Sequence, residues 1–491
     1  MAPISNIDAQ KRLVRILNAE TLEYDDKLGK DVQRLKGNVK FENEGSILDC
    51  DSAYFYPNSN IEAYGHIHLN QGDTLLLNSD RLHYNSKDKI TNVAGNVVLS
   101  DQDMTLISDY LVFIQKENLA YYTNGGKIIN KDNILTSKKG YYNTASKMLS
   151  FKDSVELHNP DYDMYADTLR FNVHSEIAFF TGPTTIISED SKMYTEKGWY
   201  DTKVDYAELT LNNWFESDTQ HIVADSLLYD RSIKLGKAFF NVIITDTTNN
   251  LVISGEYGQY NQVTNRSYVT DSATMVQTFE VDSLFLHADT LRLYHDTIND
   301  LNEIYANYNV KFFKSDMQGI CDSLTYVQKD SLIKMFDDPV LWAKKNQLSG
   351  DTIDIEIHGG EIKQLNLYNH SFIISQVDSS IYYNQIKGRD MKAIFKNNDL
   401  DRIYVNGNGQ TLYFAKDAEN EKGKIIGMNK ADCSNILVMV TNNEISKILF
   451  LDQPTGALTP LSKIDPSILK LKDFLLRNEE RPKNKDDIYR D

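Results

Sequence analysis

An acidic residue recurs along the first half of this chain at a fixed interval. Asp51, Asp80, Asp109, Asp167 and Asp225 stand on a 29-residue grid whose two other positions hold Lys138 and Glu196, and Asp289, Asp322 and Asp351 extend it with looser spacing. A column of carboxylates could collect calcium, but a calcium-binding β-roll needs several oxygen ligands within one short Gly- and Asp-rich turn. One aspartate per repeat, replaced once by lysine, reads instead as a row of solvated edge residues accepting hydrogen bonds from neighbouring Ser, Thr or backbone groups.

Three cysteines invite a redox or metal reading. Cys50 and Cys321 each precede an anchor aspartate, in a slot filled elsewhere by Ser79, Ser108, Ala166, Ala224 and Ala288, so the slot selects a small residue. About nine repeats separate the two, which at ~4.8 Å per strand puts them far beyond disulfide reach. Cys433 follows its aspartate, and all three read as structural thiols. The ten histidines show no zinc-type pairing with cysteine, and His66 and His68 are alternate positions of one strand. No nucleophile elbow, phosphate loop or dinucleotide fingerprint occurs. No catalytic residue, metal site or cofactor is assigned, and the chain reads as a non-enzyme.

The elements behind this grid form a repeat. Phe55, Tyr84, Phe113, Tyr142, Phe171, Tyr200 and Tyr229 are spaced 29 apart without interruption. At a fixed phase, chance would give this about once in five million. A second ladder follows six residues behind: Ile61, Ile90, Leu119, Met148, Ile177, Tyr206 and Leu235. Polar turns such as Asn85-Ser86-Lys87-Asp88-Lys89 separate the ladders. A link of five residues can only return the chain beside itself, so the strands are antiparallel. Leucine and aromatic sit two apart in Leu82/Tyr84, Leu111/Phe113, Leu169/Phe171 and Leu227/Tyr229, hence on one dry face. Arg81, His83, Arg170 and Ser226 belong to the wet face. Glycines in Gly37-Asn38-Val39, Gly65-His66-Ile67 and Gly95-Asn96-Val97 suggest a recurrent bend or bulge. Gly140 and Gly198 replace the leucine before Tyr142 and Tyr200, which predicts local room beside those rings.

A net charge of −18 argues against nucleic acid as a partner. No run approaches 18 apolar residues, so no membrane-spanning helix is expected. The start Met1-Ala2-Pro3-Ile4 lacks a basic segment followed by an apolar one. The regions read as a lead over 1–12, regular repeats over 13–240, less regular repeats over 241–452, and an extension with a polar tail over 453–491. Within that tail the sequence predicts a short amphipathic helix at most, around Ile468 to Leu476, and then disorder.

The ordered set Leu35-Lys36-Gly37-Asn38-Val39, Cys50-Asp51-Ser52-Ala53, Ala63-Tyr64-Gly65-His66-Ile67, Gly72-Asp73-Thr74-Leu75 and Ala94-Gly95-Asn96-Val97 resembles the OstA-like, LptA-type family of lipopolysaccharide-transport proteins. Pro460-Leu461-Ser462, Leu471-Lys472-Asp473-Phe474 and Arg481-Pro482 are similar to its long form. The resemblance implies an all-β fold, an elongated antiparallel β-jellyroll solenoid whose two sheets meet in a V with an apolar interior. It also implies a periplasmic carrier of lipopolysaccharide from inner to outer membrane, its leader no longer part of this chain. An acyl chain of about fourteen carbons costs on the order of 10 kcal/mol to hold in water at ~0.8 per CH₂, so such a carrier must offer continuous apolar shelter. The acidity of the chain then belongs mainly on the outer face, with the lipid's sugars and phosphates in solvent at an open seam.

On this reading Leu82, Tyr84, Leu111, Phe113, Tyr142, Leu169, Phe171, Tyr200, Leu227 and Tyr229 line the groove for the lipid A acyl chains. An unclosed solenoid leaves an edge strand at each end. Val14 and Ile16 mark one edge, and Leu437 and Met439 the other, the latter covered by the segment from Pro454 onward or by another jellyroll. The resemblance makes the partners at these edges jellyroll domains of inner- and outer-membrane transport components, and it admits head-to-tail self-association. The competing reading is an extracellular β-solenoid that binds polysaccharide or serves as a scaffold.

Overall fold

The structure is a computed structural model that describes residues 14–489 except 26, 73–74, 103, 218–219, 281, 297–300, 359–360, 378–380, 397–398, 418–423 and 442–443. Every regular element among the described residues is a β-strand or a short 3₁₀ turn, and every strand pairing among them is antiparallel. The chain divides into two compact units. One comprises Met1–Asp218 with Asp225–Ser232, the other Thr219–Ala224 with Ile233–Asp491.

Two local devices build the first unit. The first is the tight turn. Lys89, Asn118, Lys147, Glu176 and Asp205, 29 residues apart, all take the left-handed conformation, with φ between +53° and +58°, and Lys234 of the second unit continues the series at +51°. Ahead of them, Asn85, Asn143, Asn172 and Asp201 accept hydrogen bonds from the backbone N–H groups two and three residues on. A short side chain that bonds its own backbone specifies the turn, which is why these links stay polar.

The second device is a corner in mid-strand. Gly37-Asn38, Gly65-His66 and Gly95-Asn96 are consecutive residues with positive φ. The pairing slips there, between Lys36 and Val39, Tyr64 and Ile67, and Ala94 and Val97. The anchor carboxylates hold the corners: Asn38 donates to Glu20 at 2.7 Å, Asn96 donates to Asp80 at 2.8 Å, and His66 sits 2.7 Å from Asp51. Glu20, Asp51 and Asp80 thus act as corner braces. Beside the acidic column, Cys50, Ser79, Ser108, Ala166 and Ala224 fill the small buried slot inside the bend.

These corners fold each strand in half. Leu75–Asn85 holds 11 residues, about 36 Å if straight at ~3.3 Å each. Its start lies in one row with Asn43, through Asn43–Ser46, Ser46–Gln71 and Gln71–Leu75 pairs. Yet Tyr84, at the other end, has its hydroxyl 3.2 Å from the Asn43 amide. Only a strand bent back on itself brings its two ends that close. Each strand therefore contributes half its length to each of two facing sheets, and the apolar core from Val14 to Leu209 lies between them. This is the antiparallel jellyroll that the resemblance implies.

The second unit repeats the plan with its own interior, which includes Ile253, Leu291, Ile353, Leu367, Val405 and Val438. Phe240-Asn241, Asp271-Ser272, Tyr308-Asn309 and Asn369-His370 supply left-handed corners without glycine, and Gly407-Asn408 supplies one with it. One of its sheets is also apolar on the outside. Gln318, Trp342, Gln347, Ile374, Gln385 and Leu412 oppose one another in a single cross-strand row. The C-terminal segment crosses that row. The amide of Gln385 donates to Leu469 O and accepts from Leu471 N, both at 2.8 Å, and Gln347 does the same with Leu475 O and Arg477 N. Arg481 donates to Gln318, and Leu471, Phe474 and Leu476 join Phe372, Ile374 and Phe414 in a second apolar cluster. This corrects the expected disordered tail: residues 464–489 form an ordered strap, with Ile488 fully buried. It contains no α-helix, because paired glutamine amides and not an internal ladder satisfy its backbone.

Candidate functional site

The two halves of each strand in the first unit bring two sets of side chains face to face. Leu82, Leu111, Tyr142 and Leu169 are buried in its core, and Tyr84, Phe113, Phe171, Tyr200 and Leu227 pack half-buried against it. Tyr229 is half-buried, with its phenol shifted up by burial. Arg81, His83 and Arg170 lie exposed on the opposite face, and Ser226 is half-buried.

The facing wall is a further ladder that the sequence reading did not use. Leu48, Leu77, Leu106, Leu135 and Met164 are buried, Met193 is half-buried, and all six are 29 residues apart. The same 29-residue period would have found them. The two walls leave apolar recesses between them. One, of about 600 Å³ with its open side included, is lined by Ile128, Leu135, Leu149, Phe151, Leu157, Met164, Leu169, Phe171, Ala178 and Tyr200, together with Asn130, Asn133, Tyr162 and Thr202. Another, of about 410 Å³, is lined by Leu69, Leu77, Val93, Leu99, Leu111 and Phe113.

The tyrosines of this wall keep their hydroxyls at the mouth. Tyr200 donates to Asp205 at 2.6 Å and packs edge-on to Tyr162, and burial foremost holds both phenols protonated well above their ordinary range. Tyr142 donates to Asp101 at 3.0 Å and accepts from Lys147 at 3.2 Å. Such rings are apolar below and hydrogen-bonded above, which suits a boundary between an apolar recess and water.

The room expected beside Gly140 and Gly198 is already taken. A Cβ at Gly140 would strike the ring of Tyr122, which is itself buried with its hydroxyl 2.7 Å from Ser137. At Gly198 it would strike the backbone of Glu208 and Leu209. These glycines admit a neighbour, and the recess beside Tyr200 comes from the spacing of the two walls.

Ion pairs also cross the mouth of the first unit, where an open seam was expected. Glu44 meets Lys89, Asp101 meets Lys147, Lys131 meets Glu176 and Asp161 meets Arg231, at 2.9, 3.6, 3.3 and 3.5 Å.

Val14 is buried, and Ile16 packs half-buried in Arg15–Asn18, which pairs with Gln33–Asn43 on one side and, among the described residues, with no strand on the other. Leu437 and Met439 do not lie on an edge. Their strand, Ile425–Thr441, has Asp399–Lys416 on one side and Glu444–Leu451 with Thr455–Pro460 on the other. The chain makes one more hairpin beyond the apolar run, and the segment from Pro454 completes that sheet.

Burial pushes the thiols of Cys50 and Cys321 up to about 12, with neighbouring carboxylates adding to the shift. All three cysteines are free. Among the described residues no three His, Cys, Asp or Glu side chains converge as metal ligands, and no helix is long and apolar enough to cross a membrane.

No curated protein matches the chain. Among solved structures, LptH, described as the LptA-homologous periplasmic component of the lipopolysaccharide transport device of Pseudomonas aeruginosa, is 10% identical, with 29% of this chain and 95% of that one covered and a TM-score of 0.22. Residues 252–361 match the family model described as LptA/(LptD N-terminal domain) LPS transport protein. The model described as OstA-like protein matches residues 11–167 and 171–283, more than half of the sequence. The chain belongs to the OstA-like family of lipopolysaccharide-transport proteins.

Proposed function

We propose that this protein is a non-enzymatic periplasmic carrier whose first unit shelters the acyl chains of lipopolysaccharide on the way from the inner to the outer membrane. The observation that carries the reading is the pair of facing apolar walls, Leu82 to Tyr229 opposite Leu48 to Met193, with apolar recesses left between them. A groove built from one repeated unit offers similar shelter at each step. A lipid in it meets no deep minimum and can advance. The edge at Arg15–Asn18, which has no second strand among the described residues, suits a jellyroll domain of a membrane-anchored transport component, which would add a strand there. Family membership supports the substrate class.

Native mass spectrometry of protein purified under mild conditions tests this. The expected result is a population carrying a mass equal to an acylated glycolipid, lost on detergent exchange. Protein that stays empty after incubation with lipopolysaccharide, yet binds soluble glycans, contradicts it.

A further inference from the structure

Each charged pair across the mouth of the first unit joins a turn at the tip of one sheet to a turn at the tip of the other. Three of the four share nearly one offset: 44 to 89 and 131 to 176 are both 45 residues and 101 to 147 is 46, whereas 161 to 231 spans 70. In a chain with 52 Lys and Arg against 70 Asp and Glu, cations at four of these tips are each opposite a carboxylate. The pairs also touch the groove walls. Tyr142 links Asp101 to Lys147, and Thr202, which lines the larger recess, donates to the backbone carbonyl of Glu176 at 2.8 Å. Asn130 and Tyr162 of that recess adjoin Lys131 and Asp161 in the chain.

Building on the carrier reading, we infer that Lys89, Lys131, Lys147 and Arg231 are latches over the groove, which open by exchanging their carboxylate partners for phosphate groups on the headgroup of the acylated lipid. Three of these pairs are part-exposed on both sides, and such pairs are weak and screened by salt, so they can be exchanged. In the fourth the Asp101 side chain is only 5% exposed, and it keeps its bond from Tyr142 when Lys147 leaves. A phosphate offers more charge and more acceptor oxygens than a carboxylate, and it accepts two parallel bonds from arginine. Chains lying in the groove bring the headgroup to the mouth, where these cations stand. With the groove empty, the same cations draw the two tips together and keep water from the apolar walls. The exchange needs no covalent step, and it lets an acidic chain receive an anionic lipid.

The test is equilibrium binding of two fluorescent probes to the full chain: a bisphosphorylated, acylated glucosamine disaccharide and its dephosphorylated counterpart. The wild type should prefer the phosphorylated probe by about tenfold or more, a clear step on the affinity scale. In Lys89→Gln/Lys131→Gln/Lys147→Gln/Arg231→Gln the preference should fall to within about twofold, with the dephosphorylated probe bound at least as well as before. The double variant Lys131→Gln/Arg231→Gln, at the larger recess, should fall between. A preference unchanged in both variants overturns the latch. If millimolar inorganic phosphate abolishes the preference without displacing the dephosphorylated probe, the ligand is free phosphate and the headgroup assignment fails. Absence of binding by either probe to the wild type contradicts the carrier reading itself, a result separate from the other two.

Discussion

His66 holds its Nδ1 2.7 Å from Oδ2 of Asp51 at a corner of the first unit, where the equivalent corners use Asn38 against Glu20 and Asn96 against Asp80. One brace in the series can therefore titrate. The hydrogen bond and charge of Asp51, with Asp80 adding to them, raise the His66 pKa above its ordinary value.

A histidine whose folded pKa is raised stabilises the fold fully below its unfolded pKa, near ~6.5, and that gain disappears as pH rises through the folded value. Thermal melts of wild type and His66→Asn should therefore diverge at pH 6 in favour of the wild type and converge by about pH 8. A difference that stays constant across this range would remove the charged brace from the account.

Gly95 has a φ of +78°, and a Cβ there would press on the carboxylate of Asp80. Gly95→Ala should cost roughly 1–3 kcal/mol in urea unfolding of the first unit, the usual size of a left-handed strain plus a lost brace. Asn96→Gly keeps the backbone permissive and should cost less. Equal losses would place the stability of the corner elsewhere.

Cys50 and Cys321 are buried beside carboxylates, with thiols held up at about 12. Native protein at pH 8 should expose one readily alkylated thiol at most, Cys433, and all three after denaturation. Rapid labelling of Cys50 in the native state would contradict its place in the corner slot.

The strap depends on two glutamine amides that imitate a neighbouring strand. Gln385→Ala leaves Leu469 O and Leu471 N without their partner and should loosen the strap by about 1–3 kcal/mol. Limited proteolysis of Gln347→Ala/Gln385→Ala should then begin within residues 464–489 while the rest of the chain stays intact. Wild-type resistance in that segment would show that the apolar cluster alone secures it.

The one-dimensional pattern revealed what repeats. The ladder Phe55 to Tyr229 and the Gly37, Gly65 and Gly95 bends are periodic because every repeat solves the same packing problem, and the aspartates between them are the matching braces. Leu48 to Met193 carried the same period and was legible too, though a wall on the far half of each strand is not suggested by neighbours two residues away. The contacts across the mouth were not legible, because Lys89 and Glu44 meet only once the strands fold in half. Nor were Gln318, Gln347 and Gln385, which look like surface residues until a distant segment lies over them. The run Ile436–Val440 misled for a related reason: an apolar strand reads as a terminal face when its pairing with the following strand, Glu444–Leu451, leaves no mark in the one-dimensional pattern.

Adjacent residues of one strand give the most direct test of the groove. Phe171 lines the larger recess, and Arg170, one residue earlier, faces out exposed. A photo-crosslinking side chain at each position, irradiated in cells making lipopolysaccharide, should yield a lipopolysaccharide adduct at position 171 and little or none at 170. Equal labelling at the two positions, or labelling at 170 alone, would contradict an acyl-chain groove between the two walls.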